Sequence, residues 1–133
     1  MEITFFAPAG FKIKSKNAVV ICDPAEIKID DFVIAGPGEY EVKGVTVFGT
    51  AVGEKVAYNM VIDGVRVCYT EGQINKTDIV DILLMPAKID EAIIQLEPKV
   101  VVLSKGPAEI PPVAKFNITA DKLPETTAVV VLE

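Results

Sequence analysis

The sequence predicts an α+β fold: two packed, mostly antiparallel β-sheets with little helical cover. Three observations lead there. Short apolar runs recur along the chain, each bounded by Gly, Pro, Asn or Asp. From Val33 to Thr70 these runs follow one another as a meander whose Asp63-Gly64 pair fits a two-residue type I′ turn, where both central residues need positive φ. Helical spacing has good support in one segment alone, around Ile89, Ala92, Ile93 and Leu96.

Taken in order, Ile3–Phe6 reads as a strand ended by Ala7-Pro8-Ala9-Gly10. Phe11–Lys14 alternates apolar and basic, as a half-exposed strand does. Ser15-Lys16-Asn17 is a turn, and Ala18–Cys22 is a continuous apolar run expected to be buried on both faces. Ile27–Ile29 fits a short strand or a loop, and Asp31–Ala35 leads into the meander. Gly36-Pro37-Gly38 breaks it, and Gly44 marks a change of alternation phase that needs a turn or bulge. Gly72–Asp78 is polar and loop-like. Asp81–Met85 is a buried strand closed by Pro86, the helix is capped by Lys88 or Asp90 and ended by Pro98, and Lys99–Ser104 is a further buried strand. Residues 107–126 look irregular, and Ala128–Leu132 is a last strand.

At 133 residues, half of them apolar, residues 1–133 are expected to form one domain with a core that needs no disulfide or metal. No apolar run reaches the roughly 18 residues of a membrane span. The start of the chain lacks the pattern of a signal peptide, so the expected compartment is cytoplasmic. The net charge of −6 and the scattered basic residues exclude nucleic acid and an anionic membrane as partners. Cys22 and Cys68 each fall in a strand and are expected to be buried free thiols. The chain has no histidine, which removes Ser/His and Cys/His catalysis and the commonest zinc ligand.

Several segments resemble the metallo-β-lactamase superfamily, in particular its UlaG-like zinc-dependent hydrolases. They are Phe5-Phe6-Ala7-Pro8-Ala9-Gly10-Phe11-Lys12-Ile13, Val20-Ile21-Cys22-Asp23-Pro24, Ile34-Ala35-Gly36-Pro37-Gly38-Glu39-Tyr40 and Ile62-Asp63-Gly64-Val65. Asp81-Ile82-Leu83-Leu84-Met85-Pro86, Leu96-Glu97-Pro98-Lys99-Val100-Val101-Val102 and Lys122-Leu123-Pro124-Glu125-Thr126 continue them. The resemblance implies a shortened metallo-β-lactamase-like β-sandwich. It also implies a metal site whose ligands are missing here. The family's His-x-His-x-Asp-His run is absent between Asp23-Pro24 and Asp31. Pro8 stands for the first histidine, Tyr69 for another, Gly72 (beside Glu71) for the bridging aspartate, and Lys105 for the last histidine. The residues left at the vestigial site are therefore Asp23, Tyr69, Glu71 and Lys105, with no metal, no cofactor and no catalytic residue assigned.

The ligand count supports no zinc site, which needs three protein ligands and an open position. Lys105 is expected to pair with Asp23 or Glu71 where the metal lay, although a desolvated lysine beside a carboxylate is also a catalytic arrangement. Gly36-Pro37-Gly38 lacks the Gly-Lys-Ser/Thr of a phosphate loop and reads as a turn. Two functions stay open: a non-catalytic pseudo-enzyme used for binding or assembly, with an unknown small-molecule ligand, or a hydrolase with a rebuilt or unrecognised site. Loss of helical cover from an apolar chain predicts a homodimer.

Overall fold

The computed structural model describes residues 1–23, 26–71 and 79–133. Two sheets face each other. The first runs β12-β1-β2-β3-β4-β5, antiparallel throughout, from β1 (Glu2–Phe6), β2 (Gly10–Lys14), β3 (Val19–Cys22), β4 (Ile27–Ile29), β5 (Phe32–Ile34) and β12 (Lys115–Asn117). The second runs β13-β11-β10-β9-β8-β7-β6. Its strands are β6 (Gly38–Val42), β7 (Val45–Val52), β8 (Lys55–Ile62), β9 (Val65–Tyr69), β10 (Ile82–Ala87), β11 (Val100–Lys105) and β13 (Ala128–Val131). β6 to β9 form the expected meander, whereas β9, β10, β11 and β13 run parallel. The one α-helix among the described residues, α1 (Asp90–Leu96), makes the crossover from β10 to β11.

The turns follow from local chemistry. Asp63 and Gly64 have φ of 51° and 78° and join Ile62 to Val65, as a type I′ turn requires. Lys43 and Gly44, at 48° and 82°, make the same kind of turn between Val42 and Val45, so the phase change at Gly44 is a hairpin and not a bulge. The meander read from Val33 onward is split. Val33 belongs to β5 of the first sheet, and Gly36-Pro37-Gly38 carries the chain across to β6 of the second.

Alternation builds the core. Ile3, Ile13, Val20 and Ile29 form one inward row of the first sheet, and Phe11, Cys22, Ile27 and Ile34 another. Val47, Met60, Val67, Ile82 and Val100 face them from the second. A smaller cluster lies outside the second sheet, where Ala92 and Leu96 of α1 cover Cys68, Leu83, Met85, Val101 and Leu103. Burying strands on both faces is thus confined to β10 and β11. β3 departs from that expectation: Val19 and Ile21 are half-buried, because no helix among the described residues covers the outside of the first sheet.

Other boundaries also differ. β10 continues past Pro86 to Ala87, which pairs with Lys105, so the proline interrupts the ladder without ending the strand. The residue flanking α1 is Ile89, with no side-chain cap; Asp90 and Glu91 instead occupy the first turn, where negative charge suits the helix dipole. Within 107–126 the short β12 was not expected. It pairs with β1 through Phe116 and Ile3, a contact more than a hundred residues apart.

At the end of the sandwich that holds the Lys43-Gly44 turn, Asp30 ties the sheets together. Its carboxylate accepts the Val19 N–H at 2.9 Å and the Lys43 ammonium at 2.7 Å. The Lys43 hydrogen bond, then the Val19 amide, hold its pKa below the usual aspartate value. A carboxyl depressed on folding stabilises the protein above its unfolded pKa, and that stabilisation is lost as pH falls through the folded value. Carboxyl-carbon NMR titration should find Asp30 titrating below the usual aspartate value, and Lys43→Ala should move it up.

Candidate functional site at the strand ends

One end of the sandwich gathers the C-terminal ends of β1, β3, β9, β10 and β11 with the start of β2. Topology therefore brings Pro8, Asp23, Tyr69, Glu71 and Lys105 to the same end. Gly10 permits a close approach there, because a Cβ would collide with the Cys22 carbonyl. Ser104 links the sheets by donating to the Ala9 carbonyl at 3.0 Å and the Pro86 carbonyl at 3.3 Å.

Tyr69 is the centre of this end. It shares parity with Val65 and Val67, so its ring enters the core, where it meets Phe11 edge-on at 6.0 Å and 75°. The residue is only 2 % exposed. Its hydroxyl is buried and has no hydrogen-bond partner, alone in this among the described residues. Desolvation, with the negative charges of Glu71 and Asp23 added, pushes the phenol's pKa well above its usual value, so it is neutral across the physiological range.

Tyr69 lines a cavity of about 320 Å³ with Gly36, Glu54, Lys55, Val56, Tyr58 and Glu71. Tyr58 pairs across the ladder with Tyr69, and its hydroxyl accepts the Gly36 N–H at 3.1 Å. That bond holds the β5–β6 connection over the cavity. Gly49 allows the connection to lie so close, since a Cβ there would come within 2.6 Å of the Gly36 carbonyl oxygen. At the mouth the Lys55 ammonium donates to Glu71 at 2.9 Å.

One expectation needs correction. The cation on Glu71 is Lys55, from the β7–β8 hairpin, and not Lys105. Lys105 is exposed at the end of β11 and makes no ion pair among the described residues. Lys105→Ala is accordingly expected to leave stability unchanged to within about 0.5 kcal/mol by chemical denaturation, where a buried pair would cost several times that. The Gly72 position lies outside the described residues. Cys22 faces the core between the sheets, and Cys68 lies under α1 in the outer cluster; both are free and buried. Burial keeps the Cys22 thiol protonated.

No protein-family model and no curated protein matches the sequence. Among solved structures, the chain is similar to a Thermotoga maritima protein described as a "putative Zn-dependent hydrolase of the metallo-β-lactamase superfamily". The TM-score is 0.77 at 18 % identity, over 100 % of this chain and 99 % of that one. This chain has the metallo-β-lactamase fold.

The zinc that this fold implies needs convergent donors. No three His, Cys, Asp or Glu side chains converge among the described residues. Glu71 is engaged by an ammonium, Cys22 is held as a thiol, and a neutral phenol stands at the wall. Zinc takes thiolate, imidazole and carboxylate. This set does not fit it.

Proposed function

We propose that the chain is a non-catalytic form of the metallo-β-lactamase fold that binds a small polar molecule in the Tyr69 cavity. It would be an UlaG-like scaffold whose metal ligands have been replaced. One observation carries the reading: Tyr69 lines a cavity of about 320 Å³, and its buried hydroxyl has no hydrogen-bond partner among the described residues. An unsatisfied buried hydroxyl costs about 1–3 kcal/mol. A ligand that hydrogen-bonds to it recovers that cost, and the cavity has the size of a small-molecule site. Asp23 and Glu71 both act on Tyr69 electrostatically, with Lys55 the single cation in the lining. The field therefore favours a neutral or cationic ligand, such as a polyol or an amine, over an anion.

Against a rebuilt hydrolase stand the chemistry of Tyr69 and Lys55. A phenol with a raised pKa is a poor acid near neutrality, and a lysine held by a carboxylate at 2.9 Å is a poor nucleophile. The test pairs metal analysis with a binding screen. Protein purified without added metal is expected to carry sub-stoichiometric zinc. In ligand-detected NMR, polyols or amines should contact wild type and be lost in Tyr69→Phe. One zinc per chain, removed by a chelator together with a hydrolytic activity, would overturn the reading.

A further inference from the structure

The second sheet is covered on its outside by α1 only over its parallel half. Over β6 to β8 and at Arg66 of β9 the outer face is open among the described residues, with Phe48 41 % exposed, Val61 39 % and the Arg66 side chain 51 %; the cover of α1 begins at Cys68. Register arranges this face in two rows. The first runs Glu41, Thr46, Val61, Arg66, and the second Glu39, Phe48, Asn59, Cys68. A hollow of about 160 Å³ lies over β8, lined by Phe48, Asn59, Val61, Arg66 and Ile79. Each row is acidic at its β6 end, and the first is basic at its β9 end.

We propose that this face is a two-fold interface with a second copy of the chain, in which each Arg66 meets the partner's Glu41 and each Phe48 enters the partner's hollow. The pattern carries the choice of occupant. A two-fold axis along the strands, between β7 and β8, exchanges β6 with β9 and β7 with β8 while keeping each row in place. Arg66 then lies over Glu41, three strand spacings or about 14 Å from its own Glu41. Thr46 lies over Val61. Phe48 lies over Asn59, which is in the lining of the hollow. Both contacts occur twice, as an isologous interface demands. The angle of about 30° between aligned packed sheets keeps these central rows in register. Asp81 engages the Nε and one Nη of Arg66 and fixes the guanidinium without covering it. The interface is independent of the Tyr69 cavity, which opens at the strand ends.

Sedimentation equilibrium on the full chain tests it. Wild type is expected at twice 14.3 kDa. Phe48→Glu and Glu41→Arg, both at exposed positions, should each weaken the dimer by roughly tenfold or more with unchanged circular dichroism. Glu41→Arg and Arg66→Glu chains should each be monomeric alone and form a heterodimer when mixed, which only the crossed pairing gives. Where Arg66→Glu fails to fold, the first two variants decide. A wild-type monomer at tens of micromolar overturns the proposal. So does a dimer indifferent to Phe48→Glu and Glu41→Arg. Species growing beyond the dimer also overturn it, since they would mean stacking on the lysine-bearing outer face of the first sheet.

Discussion

Asp81→Ala is expected to lower the unfolding free energy by about 2–3 kcal/mol, a drop in Tm on the order of 10 °C for a chain of this size. Asp81 is one of two buried polar or charged residues among those described, 7 % exposed. Its carboxylate accepts the Arg66 backbone N–H at 2.8 Å, the Arg66 Nε at 3.2 Å and an Arg66 Nη at 3.2 Å. Its main chain is equally committed: the N–H donates to Arg66, and the carbonyl accepts from Lys99 and Val100. The residue thus sets the register of β9, β10 and β11 where the antiparallel meander meets the parallel half. The guanidinium is half exposed, so the ion pair itself contributes little. Most of the loss comes from the stranded Arg66 amide, whose charge-assisted bond is the shortest of the three. Asp81→Asn keeps an acceptor for that amide and should recover about half. Urea unfolding of the two variants checks this, and equal losses would refute the assignment to the amide.

What could be read from the sequence was whatever depends on neighbours in the chain. The Asp63-Gly64 turn, the buried runs of β10 and β11 and the helix after Ile89 are local patterns, and all are found. β12 was not legible because three residues are too few to alternate, and its partner β1 lies at the other end of the chain. Pro86 misled because its missing N–H ends most strands, yet here Ala87 resumes the pairing. At the site, Tyr69 and Glu71 line one cavity, and the cation on Glu71 is Lys55 and not Lys105. Lys55 was accessible all the same. Counting outward from the Asp63-Gly64 turn, Ile62 meets Val65 and Tyr58 meets Tyr69. The same count sets Val56 opposite Glu71 and Lys55 one residue beyond. The buried hydroxyl of Tyr69 had no sequence signal, because whether a phenol finds a partner depends on what the opposite sheet presents.

Tyr69→Phe is expected to stabilise the protein, by about 1–2 kcal/mol, while removing the proposed ligand site. Phenylalanine keeps the ring, its edge-on contact with Phe11 and the burial that the core depends on. It deletes only the oxygen, which is shielded from solvent and unpaired. A desolvated group without a bond opposes folding, so its loss lowers the native free energy more than the unfolded one. The pH dependence gives an independent reading. The phenol's pKa is raised on folding, so its contribution is fully present below the unfolded tyrosine value and is lost as pH rises through the folded one. The stability gap between Tyr69→Phe and wild type should therefore widen above about pH 10, where the unfolded wild-type chain gives up a proton that the native state retains. Urea midpoints measured at neutral and alkaline pH decide it. A destabilised Tyr69→Phe would mean that the hydroxyl has a partner in solution, and a gap that stays constant with pH would mean that water reaches it; either result removes the cavity's claim as a binding site. A gain in stability together with a loss of binding is the signature expected of a group held unsatisfied for a ligand.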